Sequence, residues 1–443
     1  KEWDSTTTVH TITGLNTGEW YTLRAVVAPD GYTIPTDTTF SINADGTLDN
    51  SSSTTTVEYG VLLAEFAKTA VKISTVKSVN GVEIAGAKMQ ILNSSGDVVV
   101  VDGFKVEWTS DGDVHTVTGL KTDKPYTIRT AVAPNGYTIP TDTSFTIDAD
   151  GDVTTTDSMT EDGVLLVEFD LTEVEIKAVD TANGEAIAGT TMQILDESGN
   201  LVEEWVSTAD IESTEDVNES VHTVTGLKTG VEHILRATEA PGGYTVPADT
   251  KFSIGQDGTV TTTGSMTMPG VLPVEFTKTE VKVSAVDAAN GEAVEGAHLQ
   301  ILDEEGNIVN EWVSAVDDEE TTAVDESIHE ITRLKTGVAY TLHAVTAPAG
   351  YAIADDTTFV IHADGTLRTT GSLTEEGILL HMFEETEVRI VAFDSAAGEG
   401  IAGATMQILD AAGNVVEEWV SAADVEATED IDESIQVIAG LQT

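Results

Sequence analysis

The chain has 443 residues, 77 of them acidic against 20 basic, a formal charge of −57, and no cysteine. So negative a surface is a poor partner for nucleic acid or an anionic membrane, and the missing thiols exclude disulfide stapling and thiolate metal sites. No stretch approaches the roughly 18 consecutive apolar residues of a membrane-spanning helix.

The first element with a clear period lies at 71–76, where Val71, Ile73 and Thr75 share one parity and Lys72 and Ser74 the other. Alternation of this kind predicts a half-buried strand, apolar or small inward and polar outward. Further strands are predicted at 89–92, 114–118, 126–130, 144–147 and 164–169, with turns between them at Asn80-Gly81, Ser95-Gly96, Asn135-Gly136 and Asp150-Gly151. Helical periodicity is nearly absent. About seven short strands per ~100 residues, rich in threonine and valine, predict an all-β fold: an antiparallel sandwich of the prealbumin or immunoglobulin-like kind. The first strand returns at 174–178 and 281–285.

Other landmarks return with it. Ala-Pro-x-Gly-Tyr ends at Tyr32, Tyr137, Tyr244 and Tyr351, and Glu-Trp gives Trp3, Trp108, Trp205, Trp312 and Trp419. The prolines of the first motif stand 105, 107 and 107 residues apart. A period of ~100 residues is the size of an independent domain, so the chain reads as a tandem array. The expected units are a partial repeat at 1–67, sandwiches at 68–170, 171–277 and 278–384, and a partial repeat at 385–443. Both ends fall mid-repeat, which reads as a window on a longer protein; half-repeats completed between neighbouring copies by strand addition are the other reading. The seams, such as Phe169-Asp170-Leu171-Thr172-Glu173-Val174, run from a last strand into a first one without glycine or proline. They predict joints of nearly fixed angle and a stiff rod.

The order of motifs resembles the B-type domains of collagen adhesins and the related SpaA-type pilin domains of bacterial surface proteins. The likeness rests on Gly-x-x-Ile-Ala-Gly-Ala-x-Met-x-Ile-Leu at 81–92, its counterparts at 184–195 and 398–409, a Gly-Leu-x-Thr-Gly-x-x-Tyr stretch at 14–21, and Ala-Pro-x-Gly-Tyr. The resemblance implies a prealbumin-like sandwich, often crosslinked by a lysine and an asparagine with help from a buried acid. Here the lysine position holds Thr75, Ala178, Ala285 and Ala392, the acid position holds Ala25, Thr130, Ala237 and Ala344, and the last strands contain no asparagine. The fold is therefore expected without the crosslink.

Acidic clusters are the remaining site candidates. One group is Asp196 and Glu197 with Asp303 and Glu304; the other is Asp210, Glu212, Glu215 and Asp216, Asp317 and Asp318, and Asp424, Glu429 and Asp430. Clustered oxygen donors suit calcium, and a solvated acidic loop is the plainer reading. Asp148-Ala149-Asp150-Gly151-Asp152 shares only Asp-Gly with its counterparts, which predicts a hairpin turn. The histidines at 10, 115, 222 and 329 read as structural residues at a sheet margin, and the recurring tryptophans as packing. No Gly-x-Ser-x-Gly, Walker or His-Glu-x-x-His pattern is present. The function that follows is non-enzymatic and extracellular: a cell-surface stalk, fibre or matrix filament whose partners are adjacent repeats or neighbouring copies. The alternative is an adhesin for a cell-surface or carbohydrate ligand.

Overall fold

A computed structural model describes the chain except for residues 52–55, 210–217, 265, 267–269, 318–324, 424–433 and 442–443. Every regular element among the described residues is a strand, and no helix there is long and apolar enough to cross a membrane.

The middle unit shows the plan. Glu173–Asp180 begins it, and Val174, Ile176 and Ala178 turn inward as the period-two pattern requires, each under 5 % exposed. This strand is flanked by Val221–Thr225 and Val271–Phe276 in a three-stranded sheet. Leu201–Val206, Thr191–Leu195, Glu232–Ala237, Thr250–Ile254 and Val260–Thr262 form the second sheet, in that order. The core between them joins Ile176 and Ala178 to Met192, Leu235, Phe252 and Phe276. The same arrangement surrounds a core from Val71 to Phe169 and another from Val281 to Phe383.

One ladder in each full repeat is parallel: the first strand against the last, with Ala178 opposite Val274, Thr75 opposite Val167 and Ala285 opposite His381. All other ladders are antiparallel. The parallel pair is what an array needs, because a chain whose first and last strands run the same way enters one pole of the sandwich and leaves by the other. Serial connection then requires no return loop.

One inward–outward assignment changes. Ser74, expected to face solvent, is 3 % exposed and its hydroxyl meets Glu83 Oε1 at 2.9 Å. The chain doubles back over the end of the strand, where Val76 bridges Glu83, so the last residues of Ala70–Lys77 are covered on both faces.

At the chain's ends, Trp20–Leu23, Thr38–Ile42 and Leu48–Asp49 form one three-stranded sheet. Glu387–Val391 pairs with Ile435–Ala439, and Thr405–Leu409 with Val415–Val420.

Candidate functional site: the joint between repeats

Two recurring motifs meet at every seam. Ala-Pro-x-Gly-Tyr closes a tight turn, in which the Tyr137 N–H donates to Pro134 O at 3.1 Å and Gly136 takes φ +85°. That left-handed conformation suits glycine, and a second constraint adds to it. A Cβ at this position would stand 2.7 Å from the carbonyl oxygen of Gly226, which opens the Gly-Leu motif of the next repeat. Gly31 faces Gly119 O at 2.7 Å and Gly350 faces Gly440 O at 2.8 Å in the same way.

Between the two backbones lies a seam threonine. Thr172 is wholly buried; its N–H donates to Gly136 O at 2.9 Å, and its carbonyl accepts the Gly226 N–H at 2.9 Å. Its hydroxyl donates to Leu227 O at 2.7 Å. One residue is thus tied to the turn behind it and to the motif ahead. Thr69, Thr279 and Thr386 repeat the set, with hydroxyl bonds of 2.7, 2.6 and 2.6 Å to Leu120, Leu334 and Leu441. A seam held by paired, buried backbone groups cannot swing without breaking them, whereas a solvated linker bends freely.

A second contact comes from the Asp-Gly hairpins. These are turns, as the shared dipeptide predicts: the Gly151 N–H donates to Asp148 O at 3.1 Å. They also dock on the preceding repeat. Ile34 N–H donates to Ala149 O at 2.9 Å, Ile139 N–H to Gln256 O at 2.7 Å, and Val246 N–H to Ala363 O at 2.8 Å. Side chains vary between joints. Lys121–Asp30 is an exposed pair across the first joint at 2.6 Å, and Lys68, at the seam, pairs with Asp102 of its own repeat at 2.8 Å; each is worth little. At the end of the second full repeat, Asp180 is covered and receives Lys278 Nζ and the Tyr244 hydroxyl, both at 2.9 Å. The Lys278 ammonium, with the Ala182 amide, holds the Asp180 carboxyl down at about 2. The next repeat has Glu385 where Lys278 stood, and Asp287 receives the Tyr351 hydroxyl at 2.9 Å and the Ala289 amide at 2.7 Å, with no ammonium among the described residues.

The three crosslink positions lie in the core. Thr75, Ala178 and Ala285 are at most 4 % exposed, and Thr130, Ala237 and Ala344 at most 6 %. Their neighbours in the last strand are Val167, Val274 and His381. Thr75 turns its hydroxyl onto Ile84 O at 2.7 Å.

The recurring tryptophans and histidines contact each other, a pairing the sequence reading missed although the two residue types recur together. Trp108 stacks on His115 at 4.4 Å between centroids, Trp205 on His222 at 4.3 Å, and Trp312 on His329 at 4.3 Å. Trp205 stands on an edge strand of one sheet and His222 on an edge strand of the other, so each stack closes the open side of its sandwich. Burial lowers the affinity of His115 and His329 for a proton.

Of the acidic candidates, Asp196 and Asp303 use their carboxylates in their own turns. Asp196 Oδ1 accepts the Ser198 and Asn200 amides at 2.9 Å, and Asp303 Oδ1 those of Glu305 and Asn307 at 3.0 and 2.8 Å. Glu304 Oε1 accepts the Ala339 amide at 3.2 Å, and Glu197 is exposed on the turn of Asp196. Neighbouring Asp325 and Glu326, with desolvation as the leading cause, raise the Asp317 carboxyl above its ordinary range. Asp210, Glu212, Glu215, Asp216, Asp318, Asp424, Glu429 and Asp430 lie outside the described residues. Among the described residues, no three or more acidic or histidine side chains converge as a metal site would require.

A search of curated proteins finds no match. Solved structures that align with the chain include the TIE protein of Bacillus anthracis (19 % identity, TM-score 0.35, 83 % of this chain and 68 % of that one). A pilus adhesin, SpaC of Lactobacillus rhamnosus GG, aligns at 11 % identity and TM-score 0.28, over 82 % of this chain and 48 % of its own. BcpA, the major pilin subunit of Bacillus cereus, aligns at 15 % identity and TM-score 0.28, over 72 % of this chain and 99 % of its own. The model of the SpaA prealbumin-like fold domain matches residues 69–161, 172–267 and 279–374, and the chain belongs to that family.

Proposed function

We propose that this chain is a non-enzymatic structural array, a stiff stalk, fibre or matrix filament at the cell surface. The observation that supports it most is the joint. Four successive seam threonines make the same bonds to the turn behind and the motif ahead, and such repetition serves reach and stiffness. A catalytic site need occur only once. The acidic coat keeps single rods apart at low salt. Along the edge strand Leu201–Val206, Val202 and Val206 are exposed, but Glu203 and Glu204 lie between them and oppose pairing with another edge.

The adhesin reading rests on less. A cavity of about 120 Å³ beside Trp205 and His222 is well below the roughly 300 Å³ of an ordinary ligand pocket. Calcium at the acidic loops is a subsidiary proposal, supported by the density of oxygen donors in the sequence.

Electron microscopy of the native material, with and without a calcium chelator, tests these readings. Long filaments with a bead at every repeat length are the expected result, and softening on chelation would establish the ion sites. Short rods with freely varying bends at the seams would refute the stiff array.

A further inference from the structure

The last strands of the three full repeats carry equivalent inward residues opposite the first strand: Val167, Val274 and His381. Two are apolar, as a core position demands. His381 is 1 % exposed, between Leu379 and Phe383, and neither ring nitrogen has a hydrogen-bond partner among the described residues. Its ring stands edge-on to Phe383 at 5.2 Å. The buried His233 differs, because its Nε2 meets Lys228 O at 3.0 Å.

Among the described residues, no carboxylate hydrogen-bonds to this ring. The strand Leu379–Phe383 has no other ionisable residue. The parallel strand Glu280–Asp287 sets Ala285 opposite it; Glu280 and Lys282 pair with each other near the far end, and Asp287 accepts the Tyr351 hydroxyl. From the facing sheet Asp356 attracts a proton toward His381 and His343 opposes it, but His343 Nδ1 holds Asp356 at 2.7 Å. On the remaining side, Ser372–Leu373 pairs only with Leu379 and Leu380, so among the described residues the outer edge from His381 to Phe383 has no strand beside it.

A charge formed here reaches water most readily if this strand lifts off its parallel partner. The strand leads straight into the next joint, where Glu384 O accepts the Ala352 N–H at 2.9 Å. We propose that the repeat with its core from Val281 to Phe383 is an acid-triggered weak point of the array. Protonation of His381 releases Leu379–Phe383 and loosens the joint after it, while the two preceding repeats stay closed. The inference holds whether or not the array is a stalk.

Burial pulls the His381 imidazole down to about 4. Against an ordinary value of about 6.5, protonation then favours the opened strand roughly fiftyfold more at pH 4.5 than at pH 7. Hydrogen exchange of the full chain at both pH values, corrected for the intrinsic rate, reads this for peptides over 379–386, 272–279 and 165–172. The first should gain exchange in acid by tens of fold and the others little. His381→Val, which installs the residue of the two sister repeats, should abolish the gain while leaving exchange at pH 7 unchanged or slower. Equal acid gains in all three peptides, or a gain that persists in His381→Val, would overturn the proposal.

Discussion

Replacing Gly136 by alanine strikes a joint and spares both cores. The left-handed φ of +85° costs a non-glycine residue about 1 kcal/mol. The added Cβ would lie 2.7 Å from Gly226 O and 3.3 Å from its carbonyl carbon, where ordinary contact is about 3.5 Å. Relief requires the two backbones to part by close to an ångström (about 0.8 Å). That stretches the 2.9 Å bond from the Thr172 amide to Gly136 O beyond useful length and removes about 1 kcal/mol more. The total, about 2 kcal/mol, corresponds to a roughly thirtyfold rise in joint opening. Amide exchange at Thr172 and Gly226 should accelerate by that factor, while Ile176 and Leu235 in the core exchange as before. Spin labels on the two repeats should report a broader distance distribution. Unchanged protection at Thr172, or a loss spread evenly through both cores, would refute the idea that this joint sets the angle.

Thr172→Val keeps the shape but leaves Leu227 O buried without its 2.7 Å donor; joint amides should lose about 2 kcal/mol of protection with little change in overall melting. Arg333 takes φ +67° where the sister repeats have Gly119 and Gly226, so Arg333→Gly should stabilise the third full repeat by up to about 1 kcal/mol in thermal melting; a lower melting temperature would count against strain there. Lys278→Met removes the ammonium that keeps Asp180 near 2. Because that carboxyl is depressed, its contribution is present above its unfolded value near 3.8 and is lost as pH falls toward 2, so the variant's acid transition should begin at a higher pH. An acid titration that matches wild type would assign Asp180's low value to its amide and tyrosine bonds instead.

The strands were legible because each declares itself within a few residues: Val174, Ile176 and Ala178 alternate with Glu175 and Lys177, and side chains on a strand alternate by geometry. The hairpin at Asp150-Gly151 was legible for a similar reason. Its second task was not. Ala149 receives a bond from Ile34, and no local pattern marks a carbonyl as the one that a distant amide will find. Ser74 was misassigned because its cover arrives from residues that double back over the strand end. Trp205 and His222 each recur visibly in the sequence, yet their contact depends on two sheet edges coming together across the open side of the sandwich. For the candidate ion sites, the described carboxylates of Asp196 and Asp303 serve turns, a use that only hydrogen-bond geometry reveals.

The sequence by itself determined the repeat, the two periods of polarity and turn that make each repeat a sandwich, and the loss of the crosslinking residues, since each depends on residue types at set spacings. The tertiary structure alone decided how one repeat grips the next. Thr172 reaches backbone groups 36 and 55 residues away, and those groups are main-chain carbonyls that every residue carries. It also decided that the His381 ring nitrogens have no hydrogen-bond partner among the described residues, because that property belongs to the surroundings the fold assembles and not to the histidine itself.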